Sequence, residues 1–253
     1  MGSKPITFQL PSILREMFET AIVFLYPAKC RVCDDFLGVG AMPYICTKCW
    51  QDVQFLKPPW CDICGIPDVN GLCDTCATSP PRYGQLRTVA LYQTTLQQAI
   101  HLFKFEKRKV FARYLIELIN AHTPIDCDIA TYDFILPIPI HKKRLRERGF
   151  NQATLLADGI AEAVGVPVLT DTLVRKRHTV AQSSLDREAR QQNIVGAFEV
   201  RNPKLIRGKQ LLVIDDVFTT GATIREAVNE LWTADPAEID VLTLARTVTP
   251  QKS

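Results

Sequence analysis

Long apolar runs are missing from this chain. The longest, Ala21 to Tyr26, spans six residues, far below the roughly 18 that a membrane-crossing helix needs, so no membrane span is expected. The opening MGSKPITFQL has no basic segment followed by an apolar core and a small-residue cleavage site, which argues against a secretory leader and for the cytoplasm. Net charge is also low. Lys and Arg number 30 against 27 Asp and Glu, leaving +3 over 253 residues, too little by itself to argue for nucleic-acid binding. No Gly-Lys-Ser/Thr ending of a nucleotide-triphosphate loop is present, and the three-glycine spacing of a dinucleotide fold is absent. An N-terminal Cys and a long glutaminase-like region are missing too, so delivery of ammonia to an acceptor is not expected. What remains is an ordinary globular composition, 47% hydrophobic, enough for one medium domain and a small module.

Cysteine, by contrast, is concentrated. Eight of the nine form four CxxC pairs: Cys30 with Cys33, Cys46 with Cys49, Cys61 with Cys64, and Cys73 with Cys76. Two residues between thiolates let one tight turn present both sulfurs to a tetrahedral ion, and two turns complete a site. Twelve residues separate the first two pairs and eight the last two, lengths that suit small hairpins. Two sequential zinc ribbons are the simplest reading; the spacing leaves open interleaved pairing, or one metal with a vestigial second site. A disulfide framework belongs to secreted domains and conflicts with a cytoplasmic chain. The stretch from 27 to 81 is rich in Pro, Gly and Asp and poor in periodic apolar residues, so metal would supply much of its folding free energy. Cys127 stands apart and reads as a small buried apolar residue.

The segment LLVIDDVFTTGAT, Leu211 to Thr223, joins a buried β-branched strand to the helical pattern that starts near Ile224. Thr219, Thr220, Gly221, Ala222 and Thr223 offer hydroxyls and backbone amides to a phosphate at a helix N-terminus. Asp215 and Asp216 would repel a phosphate at close range and suit the two hydroxyls of a ribose whose 5′-phosphate enters the loop. This segment resembles the signature of type I phosphoribosyltransferases. The resemblance implies binding of phosphoribosyl diphosphate together with magnesium, an ion that keeps waters and substrate phosphates as ligands.

Ahead of the cysteines, SILREMFETAIVFLYPA has helical periodicity, giving an amphipathic helix within 1–26. The cysteine module is expected over 27–81, with SPPRYG as a hinge, and a second domain over 82–253. In that domain RTVALY, DFILPIP, LLVID and EIDVLTLAR read as strands. LQQAIHLFKF, VFARYLIELINAH and NQATLLADGIAEAVG read as helices. The alternation predicts an α/β fold, a mainly parallel sheet flanked by helices, with the ligand beyond the carboxyl ends of the strands.

Two basic clusters stand out, Lys104 to Arg113 and Lys142 to Arg148. PIPIHKKRLRERGFNQA reads as a Pro-rich turn, a basic loop and then a helix, with Arg144 and Arg148 placed to neutralise a diphosphate. Solvated surface charge is the competing reading, and Asn151 suits a helix cap as well as a ligand contact. Arg175 to Phe198 reads as a polar loop turning helical near Asp186, a candidate lid. Its Arg175, Gln182, Ser183, Arg187, Arg190 and Asn193 are suited to phosphate or a nucleic-acid backbone.

The cysteine pairs, RGFNQA, the stretch from Gln182 to Asn193 and IDDVFTTGAT together resemble the ComF family over nearly the whole chain. The resemblance implies a zinc module before a phosphoribosyltransferase-like domain and a role in natural transformation. It further implies single-stranded DNA and other DNA-uptake or recombination proteins as partners. Phe105, Phe111 and Phe150 are the candidate stacking surfaces for DNA bases. A metabolic phosphoribosyltransferase acting on a base or amine, and a zinc scaffold that senses a sugar phosphate, are the alternatives.

Overall fold

The computed structural model describes residues 28–37, 44–105, 110–177 and 194–248. The expected N-terminal amphipathic helix lies outside them. The chain divides into two compact units, Met1–Asp52 and Val53–Ser253.

Among the described residues of the first unit, a short helix, α1 (Thr47–Gln51), begins inside the second CxxC turn. Cys46 occupies its N-cap and accepts the Cys49 amide. Cys30, Leu37, Ile45, Cys49 and Trp50 are buried there.

The second unit is built on a parallel sheet. Its strands are β1 (Leu86–Leu91), β2 (Phe134–Pro137), β5 (Gln210–Phe218) and β6 (Glu238–Arg246), in the order β1-β6-β5-β2. Every pairing is parallel. A bridge between Ile135 and Val168 extends the β2 edge, and Leu56 and Leu91 exchange backbone bonds with Val89 and Gln54 on the β1 edge. Central β5 and β6 are near-continuous apolar runs because both faces are covered. Leu211 to Ile214 and Ile239, Val241 and Leu242 are all buried.

Parallel strands need helical crossovers. The helices α3 (Thr94–Phe105) and α4 (Val110–His122) connect β1 to β2. After β2 come α5 (Lys142–Arg148) and α6 (Gln152–Val164), and α7 (Ala222–Leu231) joins β5 to β6. The element α2 (Asp74–Thr78) lies in the last CxxC segment. A small antiparallel pair, β3 (Leu173–Arg175) and β4 (Phe198–Val200), packs its Leu173 and Phe198 with Ile224, Val228 and Leu231 of α7. The α/β architecture expected from the alternation is what folds.

Two segments differ from expectation. The basic run Lys142–Arg148 is a helix: the His141 ring accepts the Lys143 amide at its start, and Gly149 closes it in the left-handed region. With Leu145 alone apolar, it carries no hydrophobic period to read. Strand β5 also runs past LLVID to Phe218, so both acids lie inside the paired strand, with Asp215 opposite Thr243.

The second four-cysteine segment is docked on the sheet. The Leu86 amide donates to Ile63 O at 2.6 Å, and Arg87 Nη1 to Asp62 O at 3.1 Å. Arg87 also pairs with Asp126 through Nε and Nη2, both at 2.7 Å. Gly65 permits this approach. Its φ is +63°, and a Cβ there would stand 2.4 Å from Leu86 O.

Candidate functional site

A cleft of about 1590 Å³ opens at the carboxyl edge of the sheet, lined wholly by the second unit. Strand β5 delivers Asp215 and Asp216 to it, and the turn Thr219–Gly221 leads into α7. Gly221 caps α7 at φ +72°, a conformation that costs glycine little. A Cβ there would meet the Phe218 ring at 2.8 Å. The α7 N-terminus therefore presents backbone N–H groups flanked by the hydroxyls of Thr219, Thr220 and Thr223, an arrangement suited to an anion.

Successive strand residues point to opposite faces, so the two acids meet different neighbours. Asp216 is buried and receives Lys104 Nζ from α3 at 2.6 Å. Asp215 accepts the Asp216 amide at 2.9 Å. Burial and the Asp216 charge push the Asp215 carboxyl up to about 7, with Lys104 and Arg175 pulling the other way.

Helix α5 supplies the opposite wall. Residues 143, 144, 147 and 148 share one face, and Lys143, Arg144, Glu147 and Arg148 all line the cleft. Arg148 donates to Gln152 Oε1 at 2.5 Å and lies 5.6 Å over the Phe105 ring. Burial, with Arg144 adding to it, draws the Arg148 guanidinium below its ordinary range against the pull of Asp216. Gln152 Nε2 is buried without a partner among the described residues. Asn151 makes no side-chain cap. Its Nδ2 instead donates to Ile138 O at 2.9 Å and Thr154 Oγ1 at 3.0 Å, tying the β2 exit to α6.

The structure thus gathers Asp215, Asp216, Thr219 to Thr223, Arg144, Arg148 and Arg175 around one cleft. Arg187, Arg190 and the remaining expected lid residues, Gln182, Ser183 and Asn193, lie outside the described residues. Of the three proposed stacking rings, Phe111 and Phe150 are core, while Phe105 is 60% exposed. Lys104 and Arg246 were not singled out from sequence as site residues. For Arg246 a signal existed, a charge ending an otherwise buried strand on the ligand edge. For Lys104 only the fold joins positions so far apart in the chain.

Each cysteine cluster brings four sulfurs within 4.8 Å of one another: Cys30, Cys33, Cys46 and Cys49, then Cys61, Cys64, Cys73 and Cys76. Pairing is sequential. Sulfur–sulfur separations of 3.7 and 3.8 Å match the ~3.8 Å edge of a tetrahedron with Zn–S of about 2.3 Å, and exceed a disulfide's ~2.05 Å. Backbone amides donate to the sulfurs, Cys46 N to Cys30 Sγ at 3.3 Å and Cys73 N to Cys61 Sγ at 3.4 Å. Burial raises these two thiols, yet amide donors led by Cys46 and Cys73 bring Cys30 down to about 6 and Cys61 to about 7. The donor sets fit zinc. Cys127 is buried, and that burial pushes its thiol up to about 12, away from ligand chemistry.

Comparison with known proteins agrees with both halves. Residues 21–78 match the double zinc ribbon domain and 151–252 the phosphoribosyl transferase domain. The DNA utilization protein YhgH of Escherichia coli (strain K12) is 30% identical over 229 residues, covering 88% of this chain and 98% of the relative. Competence protein F of Haemophilus influenzae is 27% identical over 80% of this chain and 90% of its own. Competence protein ComFC of Streptococcus pneumoniae is 27% identical over 80% and 87%.

Proposed function

Given that the chain belongs to the ComF family, with competence protein F and the DNA utilization protein YhgH among its relatives, we propose that it binds phosphoribosyl diphosphate with magnesium and handles imported single-stranded DNA in the cytoplasm during transformation. The observation that carries this reading is the cleft in which paired acids, a hydroxyl-rich helix N-terminus and the cations Lys104, Arg144 and Arg148 converge. The acids take the ribose hydroxyls, the loop from Thr219 to Thr223 the 5′-phosphate, and the arginines the diphosphate. Magnesium would offset the diphosphate charge near Asp215 and Asp216, keeping waters and substrate phosphates as its ligands. DNA lacks the 2′-hydroxyl, so it is not the ligand of the acid pair. Its backbone suits the basic face of α5, with Phe105 beside Arg148 as the stacking surface.

A second reading, transfer of the phosphoribosyl group to a base or amine, is favoured by the same acid pair, which selects ribose over deoxyribose. Calorimetry with phosphoribosyl diphosphate and magnesium tests the site, and absence of binding refutes it. Diphosphate release with one member of a panel of bases and amines selects the second reading. Salt-sensitive binding of a single strand, weakened by charge reversal at Arg144 and Arg148, supports the first.

A further inference from the structure

The second four-cysteine site and the phosphate loop share the cleft, with Cys64, Cys73 and Cys76 on its wall beside Phe218, Gly221 and Arg246. Arg246 touches both. Arg246 ends β6 and is 3% exposed. Its Nη1 donates to Cys64 O at 2.7 Å, and its guanidinium lies 5.1 Å from the centroid of the Phe218 ring. Phe218 is its register partner in β5, and Thr247 N donates to Phe218 O at 3.0 Å. The Cε2 and Cζ atoms of the Phe218 ring abut Gly221, where a Cβ would stand 2.8 Å from both.

We propose that Arg246 is a positioning residue that couples the second zinc site to the phosphate loop through the Phe218 ring. The coupling rests on the reading of that loop as a sugar-phosphate site. Zinc fixes the knuckle backbone, since Cys61 Sγ takes the Cys73 amide and Cys61 O the Gly65 amide, and so fixes the Cys64 carbonyl. That carbonyl holds a buried guanidinium that has no water to fall back on. The guanidinium covers one face of the Phe218 ring, and the ring forms the floor under Gly221, where the chain takes its left-handed turn into α7. Metal at the second site thereby keeps the loop amides in register for a phosphate.

The test compares amide hydrogen exchange across Arg225–Ala227, the first hydrogen-bonded amides of α7, where Arg225 N is held by Gly221 O at 2.9 Å, in the zinc-loaded full chain and in Arg246→Lys, Phe218→Leu and the double variant. Lysine keeps the charge and loses the planar fork and the ring stack; leucine keeps the apolar volume and loses the ring. Both single variants should retain both zinc ions, melt close to the parent and exchange these amides about tenfold faster, as expected for loss of one hydrogen bond to a charged group. The double variant should exchange no faster than the quicker single, because both residues act along one path. Cys73→Ser should reproduce the effect and Cys46→Ser should not. Unchanged exchange in folded, zinc-loaded Arg246→Lys or Phe218→Leu overturns the coupling, as does an equal response to Cys46→Ser. Ribose 5-phosphate with magnesium is titrated in parallel: a parent that fails to bind it sinks the sugar-phosphate reading, while the exchange data still decide the coupling.

Discussion

The first four-cysteine cluster belongs to the unit that ends at Asp52, whereas the second sits in the same compact unit as the sheet. Both clusters use two CxxC pairs and bring four sulfurs within 4.8 Å, although twelve residues separate the pairs of the first and eight those of the second. The carbonyls of residues 62 to 64 in the second knuckle receive Leu86 N, Arg87 and Arg246 from β1 and β6. The second metal site is therefore built into the sheet, a role that its CxxC signature alone does not announce. Loss of metal from the first should stay local; loss from the second should reach the sheet and the cleft.

The largest effect should come from breaking the second site. Cys61→Ser with Cys64→Ser should remove one zinc equivalent and lower the main melting transition by on the order of 10 °C or more, since structural zinc contributes several kcal/mol at the least. Cys30→Ser with Cys33→Ser should also remove one equivalent, with the main transition within a few degrees of the parent. Calorimetry with metal analysis checks both, and equal falls would dissolve the distinction.

Next comes the close approach itself. Gly65→Ala combines a left-handed φ with a backbone clash on Leu86 O and should cost about 3 kcal/mol. Gly71→Ala in the same knuckle shares the positive φ but meets nothing within 4 Å, so only the strain of about 1–2 kcal/mol remains. Denaturant midpoints on the two variants separate docking from local strain.

Arg87→Ala should cost about 2 kcal/mol. It strips Asp126 of the partner that, against burial, holds its carboxyl below the usual range, and it leaves Asp62 O without its donor. Asp126 is 39% exposed at its side chain, which keeps the figure below that of a fully buried pair.

The smallest expected effect lies at the acids and has the opposite sign. Asp215 faces Asp216, Lys104 and Arg175, and its raised pKa means the folded state holds the proton more tightly. Between the ordinary carboxylate range and about 7 the native protein binds more protons than the unfolded chain, so stability falls as pH rises through that window. Asp215→Asn should remove the fall and raise the melting temperature at pH 8 by ~2–4 °C, while losing affinity for ribose 5-phosphate. In the parent, that affinity should rise from pH 6 to pH 8 as the carboxylate forms. A variant that loses stability instead would mean Asp215 is a structural acid.

Local features were legible in the residues. The CxxC pairs, the acids before TTGAT, and the β5, β6, α4 and α6 patterns each rest on neighbours within about a dozen positions, where spacing encodes geometry. Helix α5 escaped because capping by His141 and Gly149, and not an apolar stripe, defines it. Phe105, Phe111 and Phe150 looked alike as rings; only packing buried two and exposed the third.

The sequence by itself determined the eight cysteine ligands, the hydroxyl-rich strand-to-helix loop and the parallel α/β class, because turn chemistry and side-chain period are local properties, while the sequential sorting of the cysteines into two sets came from the structure. Only the tertiary structure decided that Lys104 meets Asp216, that Arg148 shares its charge with Gln152 and Phe105, and that the second zinc knuckle rests on Arg87 and Arg246. Those contacts join residues from different strands and helices, and a parallel sheet with long crossovers sets such neighbours by strand order, which no window of sequence contains.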